Sequence, residues 1–91
     1  MTGRNGADIT GRDRIDAVFA AVLALPDPIE AWTTAYGRTA GWDSVGHLQL
    51  ILGLEEAFGI SIDPDDVFEM RDYAAVQQIL ERRHAIEMGQ P

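Results

Sequence analysis

The chain has 91 residues, with 15 acidic side chains against 7 basic ones and a formal net charge of -8. That length holds one domain with a modest core. The charge excludes nucleic acid and anionic membrane as main partners, since both would repel it, and favours a partner with a basic patch. There is no cysteine, so neither a disulfide framework nor a thiolate zinc site can form, and any sulfur chemistry must arrive on a cofactor.

Residues 1–10 are polar and contain glycine, which predicts a flexible arm ahead of a domain spanning 11–84. Thr10 followed by Asp13 has the spacing of a capping box. Ile15, Val18, Phe19, Val22 and Leu23 then recur at the intervals of one helical face. The apolar run Ala17 to Leu25 follows Arg4, Arg12 and Arg14 and has the outline of a secretory signal. Asp8, Asp13 and Asp16 interrupt that leader, and the run is too short to span a bilayer, so the expected location is the cytoplasm. Pro26 and Pro28 are expected to end the first helix. A long loop to about Trp42 follows, for which Ile29, Trp32 and Tyr36 are the expected anchors.

The second helix is predicted to begin at Asp43-Ser44 and to stop at Phe58, where Gly59 supplies a C-terminal cap. Ile60 and Ile62 anchor an extended link. Asp63 then caps a short third helix with Pro64 at its first position, running through Val67, Phe68 and Met70. Asp72 caps the last helix, which turns Val76, Ile79 and Leu80 inward and ends on Arg82, Arg83 and His84, cations suited to the negative end of its dipole. Residues 85–91 are expected to form a flexible tail. With no repeat and no strand-like alternation, the predicted architecture is all-α: a small four-helix bundle of three longer helices and one short third helix, with a long first loop.

Two apolar lines run along the second helix. Leu50, Leu54 and Phe58, with Ile51 at the edge, form one; Val45, Leu48 and Leu52 form another, displaced around the axis. Either the helix is central and buried all round, or the second line is exposed beside Gln49, Glu55 and Glu56 as a docking surface. The Asp43-Ser44 pair likewise has two compatible readings. Both residue types cap helices, and a serine at a helix start is also exposed, where the dipole and free amides favour an attached phosphate.

Asp43-Ser44-Val45, followed by Leu48, Leu50, Leu54, Glu55-Glu56, Phe58-Gly59-Ile60, Ile62 and Pro64-Asp65-Asp66, resembles the acyl carrier protein family. The likeness covers about residues 12 to 83. It implies that Ser44 accepts 4'-phosphopantetheine from coenzyme A, that Asp43 assists by helping to place magnesium held by the transferase, and that the arm's thiol carries acyl groups as thioesters. It further implies a monomeric, non-catalytic carrier whose partners are a phosphopantetheinyl transferase and acyl-loading and acyl-processing synthase enzymes. Val45, Leu48, Gln49, Leu52, Glu55 and Glu56 are the implied partner face. Gly46 and Gln49 stand where many members carry acids, which dilutes the acidic upper helix and directs attention there for partner choice. The run Trp42 to His47 is similar to free-standing carriers in specialised pathways that handle short, polar or amino-acyl units, and polyketide or related specialised biosynthesis is the expected setting. Asp43 favours the acyl type over an aminoacyl or peptidyl carrier, and an unmodified helical adaptor is the alternative from another functional class.

Two further chemistries are excluded on the residues. Ser44, His47 and Asp43 cannot form a working triad, because Asp43 and His47 flank the serine on one helix and a triad needs its base oriented across a cleft. His47 is therefore read as a surface or loop-packing residue. Asp63, Asp65, Asp66 and Glu69 do not make a calcium loop, since Phe68 and Ala74 occupy the positions that need glycine and a carboxylate. No catalytic residue and no metal site is expected.

Overall fold

The computed structural model describes residues 10–88, with Ile29 described by its backbone alone. Helix α1 (Gly11–Leu23) opens on the capping box expected from Thr10 and Asp13. The Thr10 hydroxyl accepts from the Asp13 amide, and the Asp13 carboxylate accepts from the Thr10 amide. Ile15, Phe19 and Leu23 are its buried face. The helix ends before either proline: Ala24 turns into the left-handed region at φ 55°, where an alanine has a steric cost that glycine avoids.

The long loop is not structureless. A 3-10 helix (Pro28–Thr33) lies within it. At about three residues per turn, Ala31 and Thr34 share one side, and both are buried, with the Thr34 hydroxyl donating to the Ala31 carbonyl at 2.7 Å. Trp32, expected to pin the loop, falls on the opposite side and is 69% exposed. Trp42 pins the loop instead. It is fully buried, edge-on to Phe19 with ring centroids 5.4 Å apart. Tyr36 fulfils its expected anchoring role from the backbone, its amide donating to the Arg71 carbonyl at 2.8 Å beside an isolated bridge between Ala35 and Asp72. The Ile29 side chain lies outside the described residues.

Helix α2 (Ser44–Phe58) runs between Asp43 and Gly59, the latter in the left-handed region at φ 64°. The caps expected from Asp63 and Asp72 are both present, each carboxylate accepting an amide two or three residues on. They open α3 (Pro64–Val67) and α4 (Tyr73–His84); α3 is a single turn that stops before Phe68 and Met70. Val76, Ile79 and Leu80 face inward as expected. The core joins Ile15, Phe19, Trp42, Leu50, Leu54, Met70, Val76 and Leu80 across α1, α2 and α4, with no strand among the described residues. The molecule is an all-α four-helix bundle.

The tail departs from expectation. Rather than leaving the domain at Ala85, the chain turns there at φ 55° and docks. Met88 is buried, and the carbonyls of Glu87 and Met88 accept from the Gly11 and Arg12 amides at 3.0 and 3.4 Å. Those amides belong to the first turn of α1, where no intrahelical acceptor exists. Glycine at position 11 permits the approach, since a Cβ there would overlap the Glu87 carbonyl. Residues 89–91 and 1–9, where the remainder of the tail and the arm were expected, lie outside the described residues.

The Tyr73 hydroxyl donates to Asp16 across 57 residues of sequence, joining α4 to α1. Burial, then the hydrogen bond to Asp16, push the Tyr73 phenol well up. Burial also raises Asp16, partly offset by the Tyr73 hydroxyl.

Candidate functional site

The start of α2 divides its tasks among successive residues. Asp43 is the cap: its Oδ1 accepts from the Gly46 amide at 2.9 Å and its carbonyl from the His47 amide at 2.7 Å. Ser44 is the first helical residue, exposed, and its hydroxyl makes no hydrogen bond among the described residues. The capping reading of the pair thus belongs to Asp43 and leaves the serine oxygen accessible where unpaired helical amides and the dipole favour an anion.

Gly46 is not the surface position that comparison with acid-bearing carriers suggested. It is buried, and a Cβ there would overlap the Gly41 carbonyl oxygen. A glycine in that first turn lets the incoming loop cross the helix directly. Gly41 itself sits at φ 86°, a left-handed conformation that glycine adopts without penalty.

His47 is a loop-packing residue, one of the two roles expected for it. Trp42 Nε1 donates to His47 Nδ1 at 3.0 Å, and His47 Nε2 lies 2.8 Å from the Val67 carbonyl. A ring nitrogen accepting from an indole leaves the proton on the other nitrogen, so Nε2 is the donor to Val67. Both nitrogens are engaged and neither addresses Ser44, which removes the base that a triad would need. The ring lies nearly parallel to Trp42 and edge-on to Tyr36, so His47 joins the loop, α2 and the end of α3.

The two apolar lines of α2 part as their phases require. Leu50, Ile51 and Leu54 are buried and Phe58 packs against the core, whereas Val45, Leu48 and Leu52 are 64%, 60% and 64% exposed. The centrally buried alternative is thereby excluded. Gln49 and Glu56 are exposed beside that line. Glu55 is half-buried and has an internal task, its Oε2 accepting from the Ile62 amide at 2.8 Å to fasten the link after α2.

A cleft of about 400 Å³ opens beside Ser44, lined by Tyr36, Ser44, His47, Leu48, Val67, Phe68 and Arg71. Phe68, just past α3, is 73% exposed at its mouth. The Arg71 guanidinium stands 4.5 Å from the centre of the Tyr36 ring. Sequence reasoning did not assemble this cleft, because its walls come from three segments with no shared local pattern. The acids around α3 form no metal cluster among the described residues. Asp63 caps, and Asp66, expected on a solvated face, is buried and pairs with Arg83 at 3.0 Å.

A family model described as the phosphopantetheine attachment site matches residues 13–82. Among curated proteins, the chain is similar to acyl carrier protein 1, chloroplastic, of Casuarina glauca, with 26% identity over 70 residues. That alignment covers 77% of this chain and 52% of the relative, so the chain spans about half the length of the curated relative it matches. No solved structure matches. None of the described helices is long and apolar enough to cross a membrane. A site for covalent 4'-phosphopantetheine, carried on a helical bundle and matched over most of its length, makes this chain a member of the acyl carrier protein family.

Proposed function

We propose that Ser44 is the attachment residue and that the chain carries acyl intermediates as thioesters on a 4'-phosphopantetheine arm. The observation that carries this reading is the arrangement around the serine. Asp43 caps the helix, Ser44 is exposed with an unengaged hydroxyl, and an apolar line and a cleft adjoin it. In the modification, Ser44 Oγ forms a bond to the phosphorus bearing pantetheine, the phosphoanhydride bond of coenzyme A breaks, the adenosine portion leaves, and the serine proton passes to a base on the transferase. Asp43 assists by helping to place the transferase's magnesium; its Oδ2 has no hydrogen bond among the described residues. Once attached, the arm supplies the thiol that this cysteine-free chain lacks.

Val45, Leu48 and Leu52, with Gln49 and Glu56 beside them, form the face offered to a phosphopantetheinyl transferase and to acyl-loading and acyl-processing synthase enzymes; Glu55 joins it at the rim. Partners with apolar and basic complements fit a chain of charge -8. The likeness of the run Trp42 to His47 to specialised carriers supports polyketide or related biosynthesis, by a monomeric, non-catalytic protein of the cytoplasm.

Intact mass after incubation with coenzyme A and a broad-specificity transferase tests the reading. The expected result is a gain of one phosphopantetheine that is absent in Ser44→Ala. No gain, or a gain that survives the substitution, refutes it; no gain would favour an unmodified adaptor.

A further inference from the structure

Among the described residues of this acid-rich chain, Arg71 is a cation with no carboxylate partner. The ion pairs among the described residues belong to Arg83, at the far end of α4. Arg71 instead lies on the wall of the Ser44 cleft, its guanidinium over the Tyr36 face at 4.5 Å. The backbone beneath is held by the Tyr36 amide bonded to the Arg71 carbonyl and by the bridge between Ala35 and Asp72. The contact with the Tyr36 ring uses the charge of the guanidinium and not its donors, and the Arg71 side chain makes no hydrogen bond among the described residues, so its N–H fork is available to receive a carboxylate with two parallel hydrogen bonds.

The rest of the cleft offers little to a polar ligand. Leu48, Val67 and Phe68 are apolar, both His47 ring nitrogens are engaged, and the Ser44 hydroxyl is consumed when the arm is attached. Building on the reading of Ser44 as the attachment residue, we propose that Arg71 is a specificity residue for cargo. It receives a carboxylate at the distal end of a short acyl group folded back into the cleft, so that the cargo class is a dicarboxylic half-thioester. An exposed ion pair between free partners is weak. A tether changes this, because a short flexible linker holds its end near the site at a local concentration of order millimolar.

The test uses the full chain loaded by the transferase from coenzyme A, butyryl-coenzyme A or succinyl-coenzyme A, with Arg71→Gln and Arg71→Lys alongside and far-UV circular dichroism to verify folding. The Arg71 Nε–Hε resonance should move in the succinyl form relative to the butyryl and unacylated forms. Hydroxylamine should cleave the succinyl thioester about threefold more slowly in the wild type than in Arg71→Gln, with partial rescue by Arg71→Lys and no difference among the three for butyryl. Equal behaviour of the two cargoes overturns the proposal. So does a resonance already fully shifted in the unacylated form, which would assign the guanidinium to the arm's phosphodiester. Loading without any Arg71 response overturns this inference alone, whereas failure to load at Ser44 overturns the attachment reading and this one with it.

Discussion

Gly46→Ala separates two opposed effects whose signs differ. Replacing a helical glycine by alanine stabilises by up to about 1 kcal/mol through the backbone entropy of the unfolded chain. Here the added Cβ would lie well inside the 3.0 Å limit from the Gly41 carbonyl oxygen, and 3.0 Å from its carbonyl carbon. Backbone cannot swing aside as a side-chain tip can. The loop that would have to move is tied by the Ala35 amide to the Thr39 hydroxyl, by the Thr39 amide to the Ala35 carbonyl and by the Gly37 amide to the Trp42 carbonyl. Overpacking of this kind costs about 1–3 kcal/mol, so after a propensity gain of about 1 kcal/mol the net expectation is a loss of about 0–2 kcal/mol. Gly53→Ala is the control: its Cβ would stand 2.9 Å from Val18 Cγ1, a side-chain methyl between two helices. There the clash and the propensity gain should nearly cancel, to within about 1 kcal/mol. Urea unfolding followed by tryptophan fluorescence and far-UV circular dichroism measures both variants. A Gly46→Ala protein about 1 kcal/mol more stable than the wild type would refute the reasoning, because propensity alone would then account for the site.

His47→Ala strands the buried Trp42 indole donor and the Val67 carbonyl together; a loss of about 2 kcal/mol is expected in the same urea assay, and a loss below about 0.5 kcal/mol would show that water replaces the ring at no cost. Leu48→Glu should leave stability within about 0.5 kcal/mol, since the side chain is 60% exposed, while slowing acyl loading by a partner synthase; loss of the helical signal would place Leu48 in the core instead. For Tyr73 the folded phenol is raised above its ordinary value of 10.0, so above that pH the unfolded chain sheds a proton that the folded chain keeps. Stability should fall as pH rises, by at most about 1.4 kcal/mol per pH unit from this group. The Tyr73→Phe variant should lack that component in stability measured against pH, and an unchanged alkaline slope would contradict the assignment.

The elements legible in the sequence are those specified by residues close together along the chain. Thr10 with Asp13, Asp43, Gly59, Asp63 with Pro64, and Asp72 each act within one turn of backbone, and each occupies the cap expected of it. The phase of α2 was legible for the same reason, since spacing alone separates Val45, Leu48 and Leu52 from the line of Leu50, Leu54 and Phe58; that the first line is exposed and not buried in a central helix is decided by the fold. What escaped depends on partners distant in sequence or on a different helical period. Trp32, expected as an anchor, is exposed, and Ala31, for which no role was expected, is buried, because a 3-10 turn puts residues three apart on one side. Met88 is buried where its carbonyl and that of Glu87 accept from the Arg12 and Gly11 amides of α1, at the opposite end of the described chain. The apparent acid-for-glycine difference at Gly46 looked like surface chemistry, and only the crossing Gly41 carbonyl shows it to be a packing requirement.

The division of labour at the start of α2 follows from helical geometry. At about 100° per residue, Gly46 and His47 fall on the side that continues into Leu50, Ile51 and Leu54, whereas Val45, Leu48 and Leu52 fall on the other. Contacts that hold the loop, the Gly41 crossing and the Trp42–His47–Val67 chain of hydrogen bonds, are therefore made on the inner side. Capping is taken by Asp43, one residue before the helix. Among the described residues nothing bonds to the hydroxyl of Ser44, so a substitution there should leave the bundle intact, and a group attached to this exposed side chain should displace no packed atom among them. Changes at Gly46 or His47 act differently, because they move the loop and the Val67 wall between which Ser44 and the cleft are placed. A loading defect in those variants would accompany a loss of stability, whereas one in Ser44→Ala or Leu48→Glu would not. That distinction would separate residues that position the serine from those proposed to meet the partner.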